Sequence, residues 1–153
     1  MLLLNTNTIN RATTQYYGHD INSLSKFDGS YFASSETGLY KYTGNVDLTS
    51  VISAYFITAT MDFGIDHDKR LRYVYLSLEA TGNLELSVKT EKVAAIIYPV
   101  VVDNTIGQQD IRIPISRSLH GRFWTFKISN GSNGADFSID EIKILPIMKN
   151  RSY

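Results

Sequence analysis

From position 123 to 130 the side chains alternate, with Trp124, Phe126 and Ile128 on one parity and Phe123, Thr125 and Lys127 on the other. Period two is the mark of a half-buried β-strand. Gly and Asn then cluster in Asn130-Gly131-Ser132-Asn133-Gly134, and a second apolar stretch runs over residues 135–147. The pair reads as the closing hairpin of an antiparallel β-sandwich. Inside the second stretch the apolar parity changes, from Phe137 and Ile139 to Ile142 and Ile144. A strand keeps one parity on its core face, so the switch at Asp140-Glu141 predicts a bulge or bend. The expected interior set is Trp124, Phe126, Ile128, Phe137, Ile139, Ile142 and Ile144.

The same reading applies upstream. Residues 31–34, 35–38 and 39–43 form a strand, a turn ending in Gly38 and a second strand, hence a hairpin. Over 51–63 the odd positions are the more apolar, which suggests one long or bent strand ending at Asp62-Phe63-Gly64. Val74, Leu76 and Leu78 share one face of a strand, with Leu71, Tyr73 and Tyr75 on the other. Thr81-Gly82-Asn83 is a turn, and Leu84, Leu86 and Val88 alternate after it, which predicts a hairpin with the preceding strand. Ile111, Ile113 and Ile115 alternate, and Pro114 places that strand at an edge or irregularity. The run 93–102 contains Pro99 and reads as buried extended chain. No segment carries a 3.6-residue repeat. The fold class expected is all-β, an antiparallel, jelly-roll-like sandwich over 27–153, preceded by an extended N-terminal arm over 1–26.

Composition narrows the function classes. Fifteen basic and fifteen acidic side chains give a net charge of zero, without the basic excess of a dedicated nucleic-acid binder. Ten Tyr and seven Phe exceed what a small core needs, and Tyr is enriched on surfaces that partners cover. With no cysteine, disulfides, thiolate-zinc sites and thiol nucleophiles are excluded. The start, Met1 to Asn7, has no basic region and does not read as a secretory signal. No apolar run approaches the roughly 18 residues of a membrane span. Asn130-Gly131-Ser132 and Asn150-Arg151-Ser152 match the glycosylation pattern, and without a secretory signal, chance is the expected reason.

Candidate chemistry is sparse. Asp62, Asp66 and Asp68, with Glu36 or Asp103, are oxygen donors of the kind calcium takes, but their spacing lacks the Gly and Glu of an EF-hand. A solvated loop with an Asp capping a turn is the expectation. Asp62-Phe63-Gly64 matches a kinase triplet without the loops that accompany it, and reads as a strand end. His19, His67 and His120 are scattered, and no Gly-x-Ser-x-Gly elbow exists. No catalytic residue, cofactor or metal ligand is assigned. Two basic clusters, 69–72 and 117–122, lie beside aromatics and suit a salt-sensitive contact with an acidic partner surface.

Asp62-Phe63-Gly64, followed by Lys69-Arg70-Leu71-Arg72-Tyr73-Val74-Tyr75, resembles a segment of structural proteins from tailed-bacteriophage virions. Gly121-Arg122-Phe123-Trp124-Thr125-Phe126-Lys127-Ile128-Ser129-Asn130, with 135–142 close behind, resembles another, and 31–40 a third. The likeness spans roughly residues 27–147. It implies a non-enzymatic scaffold of the tail, neck or tail tip, present in several copies, made in the host cytoplasm and bound to neighbouring virion subunits. The last strands also resemble those of jelly-roll carbohydrate-binding modules. That implies a competing function, recognition of host glycans, with Tyr73, Tyr75 or Phe123 as stacking platforms.

The residues expected at interfaces follow from both readings. In the arm, Tyr16, Tyr17, Ile21 and Leu24 are anchors for a neighbouring subunit, since the segment has too few apolar residues to fold alone. In the body the set is Lys69, Arg70, Arg72, Tyr73, Tyr75, Arg117 and Arg122.

Overall fold

Every regular element among the described residues is a β-strand, as the period-two patterning requires. The computed structural model describes residues 3–6, 13–16, 21–43, 46–47 and 50–148. The chain divides into two units, Met1–Gly44 and Asn45–Tyr153.

In the first unit β1 (Leu3–Thr6) pairs with β2 (Thr13–Tyr16). A separate meander joins β3 (Ser23–Phe27), β4 (Ser30–Ser35) and β5 (Gly38–Tyr42). The expected hairpin of residues 31–43 is there, closed by Glu36-Thr37. The expected boundary at 26/27 is not where the chain divides. Asp28 and Gly29 both have positive φ, 46° and 73°, the geometry of a two-residue type I′ turn, which ties β3 to β4. Residues 23–26 are therefore part of a sheet and not of an extended arm.

The second unit opens with the short pair β6 (Val46–Asp47) and β7 (Ser50–Val51). The remaining strands are β8 (Tyr55–Ile57), β9 (Lys69–Ala80), β10 (Leu84–Thr90), β11 (Ile96–Val100), β12 (Gln109–Pro114), β13 (Trp124–Ser129) and β14 (Phe137–Met148). They form two antiparallel sheets, β11-β10-β13-β8 and β12-β9-β14. The sheets share one apolar layer. Val74, Leu76 and Leu78 of β9 and Leu84, Leu86 and Val88 of β10 are buried, as are Trp124, Phe126 and Ile128 of β13. Phe137, Ile139, Ile142 and Ile144 pack against that layer while keeping some exposure. This is a β-sandwich.

Two turns read as hairpins instead carry the chain between sheets. β9 pairs with β12 and β14, whereas β10 pairs with β11 and β13. Residues 81–83 therefore cross from one layer to the other, and so do residues 130–136 between β13 and β14. Alternation reports that a strand has a buried face; it does not say whether the next strand lies beside it or across the core. Only β10 and β11 are consecutive strands joined within one sheet of the sandwich. At the second crossing Asn130 is buried. Its Oδ1 accepts from Ala54 N at 2.9 Å, and its Nδ2 donates to Ile52 O at 2.9 Å and Ala135 O at 3.3 Å.

The bulge expected at Asp140-Glu141 is present. Ile139 pairs with Leu78 and Glu141 with Ser77, so Asp140 is the additional residue. A second irregularity lies on the partner strand, where Ile144 pairs with Val74 but Pro146 with Leu71. It turns Leu71 into the core, 2% exposed, and corrects its placement on the Tyr73 face. Residues 51–63 are not one strand. Thr58 Oγ1 takes the Phe126 N–H at 3.1 Å in place of a backbone carbonyl, which breaks the ladder between β8 and the isolated Met61–Trp124 bridge. β12 is an edge strand, as Pro114 required. Within the run 93–102 only Val100 and Val102 are buried, with Ile96 and Tyr98 partly so, because one face of β11 turns away from the core; Ile97 is 61% and Val101 71% exposed.

Trp124 is fully buried, stacks on Phe126 with centroids 6.3 Å apart, and donates Nε1–H to Gly121 O at 3.0 Å. Trp124→Ala is expected to cost about 3–5 kcal/mol, read as a lowered midpoint in denaturant unfolding of the whole chain.

Candidate interaction surface

Of the residues singled out as interface candidates, the fold brings Arg70, Arg72, Tyr73 and Tyr75 together. They lie on the outer face of the β12-β9-β14 sheet. Because Val74, Leu76 and Leu78 point inward, the alternate residues Tyr73, Tyr75, Ser77 and Glu79 point outward. The bulge on β9 adds Arg72 to the same side, and its guanidinium lies 5.3 Å from the Tyr73 ring centroid.

Register builds the rest of this face. Arg112 on β12 and Lys143 on β14 lie opposite Tyr75 from the two sides. One row further along, Asp110 and Glu141 flank Ser77, and beyond that Ser138 lies opposite Glu79. The Arg112 guanidinium covers the Tyr73 ring at 4.8 Å, and Tyr73 and Tyr75 are 6.1 Å apart. Leu145 and Ile147 are exposed beside the basic rows, at 55% and 49%. The face is thus basic and aromatic at one end and acidic at the other. None of Arg70, Arg72, Arg112, Lys143, Glu79, Asp110 and Glu141 makes an ion pair among the described residues. Sequence reading missed Arg112 and Lys143; the alternation of Asp110, Arg112 and Pro114 against Ile111, Ile113 and Ile115 was the available signal.

The other candidates lie elsewhere. Lys69 is fully buried and corrects its assignment to the surface: its Nζ donates to Ile65 O at 2.5 Å and His67 O at 3.1 Å. The parity shift that buries Leu71 buries Lys69 too. Arg122 is half-buried and ion-pairs with Asp66 and, at 4.0 Å, with Asp62. Arg117 is exposed in the loop after β12, off the sheet face. Tyr16 ends β2, and Tyr17 lies outside the described residues. Ile21 is buried and Leu24 is 47% exposed. Among the stacking candidates, Phe123 is 38% exposed, with the Arg122 guanidinium 4.8 Å from its ring.

The carboxylates weighed as calcium donors hold the 62–68 loop shut instead. Asp62 Oδ1 caps the Gly64 N–H at 3.0 Å, Asp66 faces Arg122, and Asp68 takes Lys92 Nζ at 2.6 Å. Phe63 sits there at φ 55°, a costly conformation for a bulky residue. Opposite the loop, Glu91 receives the Arg122 and Phe123 N–H groups at 2.7 and 2.8 Å. A Cβ at Gly121 would lie 2.7 Å from that carboxylate, so only glycine admits this approach. Desolvation pushes the Glu91 carboxyl up, but the Arg122 and Phe123 N–H groups outweigh it, and its pKa falls below the ordinary 4.5.

No family model, curated protein or solved structure matches this chain.

Removing the buried ammonium strands two inward-facing carbonyls. Lys69→Met should lower stability by about 1–3 kcal/mol, and should raise hydrogen-exchange rates most in residues 62–68. For Glu91 the folded pKa lies below the unfolded one, so its contribution is complete above 4.5 and disappears as pH falls through the folded value. The melting temperatures of wild type and Glu91→Gln should therefore differ at neutral pH and converge in acid.

Proposed function

We propose that this chain is a structural assembly protein, a non-catalytic β-sandwich that docks onto neighbouring protein subunits. Its setting, on the sequence resemblance, is the virion of a tailed bacteriophage, in the tail, neck or tail tip. One observation carries the reading: an outer sheet face on which neighbouring tyrosines sit amid charges that make no ion pair among the described residues. Tyr and Arg are enriched at protein interfaces and among the few residues that carry most of the binding energy. The charges around them steer and orient a partner more than they hold it.

The glycan reading has less behind it. Trp124, the best stacking side chain available, is in the core. The Tyr73 ring is already covered by the Arg72 and Arg112 guanidiniums, which leaves little of that ring open to a sugar.

The test is incorporation. The chain should appear in stoichiometric amount in purified particles of its phage, and Tyr73→Ser/Tyr75→Ser should lower incorporation about tenfold or more while the isolated protein stays folded. Absence from particles, or specific binding of the isolated chain on a glycan array, would overturn the reading.

A further inference from the structure

The order of charges along the outer sheet face is complementary to itself when reversed. From one end to the other β9 presents Arg72, Tyr73, Tyr75, Ser77 and Glu79, with Arg112 and Lys143 flanking Tyr75 and with Asp110 and Glu141 flanking Ser77. We infer that this face binds the same face of a second copy of the chain across a two-fold axis. The inference rests on the reading of this face as a protein-docking surface, and names its partner.

The axis can be derived from the rows. A two-fold lying between the faces, perpendicular to the strands and midway between the Tyr75 and Ser77 rows, sets each strand over its own counterpart with direction reversed. Arg112 then lies over the second copy's Asp110, Lys143 over its Glu141, and Arg72 over its Glu79. A two-fold running along the strands would instead set Arg112 over Lys143 and Asp110 over Glu141. Opposed like charges disfavour that arrangement, so the charges select the first axis. The tyrosines lie at its centre, with Tyr75 over Ser77 of the second copy, and sheets stacked about 10 Å apart leave room for such side chains.

Size sets the strength. Three strands about 4.8 Å apart and ten residues of about 3.3 Å each give a face on the order of 450 Å². That is well below the ~800 Å² per partner of a standard stable interface. The pairing is therefore weak and salt-sensitive in dilute solution, and gains when many copies are held close together.

Sedimentation velocity on the full chain tests this, with an acidic variant (Arg72→Glu/Arg112→Glu/Lys143→Glu) and a basic one (Glu79→Arg/Asp110→Arg/Glu141→Arg). Wild type should dimerise at low salt, with its dissociation constant rising about tenfold or more when salt is raised past the point where the Debye length is ~5 Å. Each variant alone should be monomeric. Their equimolar mixture should dimerise at least as tightly as wild type, because every opposed pair is again of opposite sign. Circular dichroism confirms that the variants fold, and the single variants Arg112→Glu and Asp110→Arg repeat the test should a triple variant fail to. A wild type that stays monomeric at low salt, a wild-type dimer that either variant leaves intact, or a mixture that stays monomeric would each overturn the inference. The docking reading is judged apart, by incorporation of the acidic variant into particles. Loss from particles with a monomeric wild type removes the second copy but keeps the docking face. Undiminished incorporation removes the docking reading, and with a monomeric wild type it removes both.

Discussion

The register of β9 is the constraint on which the rest of the second unit depends. Val74, Leu76 and Leu78 are at most 1% exposed, and slipping the strand by one residue would bring Tyr75 and Ser77 into the core and expel three aliphatic side chains. At about 1.5–3 kcal/mol for each large apolar side chain, such a slip is untenable for a domain of ordinary stability. The outer face is fixed by the same act. Once the inner positions are set, Tyr75, Ser77 and Glu79 have no choice of side, and the pairing of β12 and β14 with β9 brings their charges into rows. The buried layer and the charged outer face are thus two sides of one alternation.

The bulges refine that arrangement. Asp140 on β14 lets Phe137 and Ile139 share a core face with Ile142 and Ile144 despite their opposite parity. The irregularity on β9 does the same for Leu71 and Val74, and sets Arg72 and Tyr73 side by side on the exterior. At the end of β9 the chain is anchored by contacts that a sheet alone would not supply. Lys69 fills the inside of the 62–68 loop, and Arg122 and Lys92 close its outside. Glu91 holds the backbone that leads into β13. The strain at Phe63 is maintained by these contacts.

Much of this was legible in the sequence, for identifiable reasons. Strand identity, the interior place of Trp124, Phe126 and Ile128, the edge position of Pro114 and the Asp140 bulge follow from parity and from the missing proline N–H. What alternation does not encode is the lateral neighbour, so both inter-sheet crossings looked like hairpins. Lys69 looked like a surface cation because a long charged side chain carries no local sign that backbone carbonyls await it. The parity change from Leu71 to Val74 had the form of the one at Asp140, and reading it would have turned Leu71 inward. Asp28-Gly29 was likewise an open hairpin signal. The outer face was half legible: Arg70, Arg72, Tyr73 and Tyr75 are close in sequence, whereas Arg112, Lys143, Asp110 and Glu141 join them only through pairing across the sheet.

We propose that the register of β9 presents a face that recognises its own copy. Backbone amide chemical shifts followed from dilute to concentrated solution at low salt test it most directly. Concentration-dependent changes should concentrate in 72–79, 110–114 and 138–145, with salt reversing them, while β8, β10, β11 and β13 stay still. Changes centred on β8 or β11, or spectra that do not vary with concentration, would contradict it.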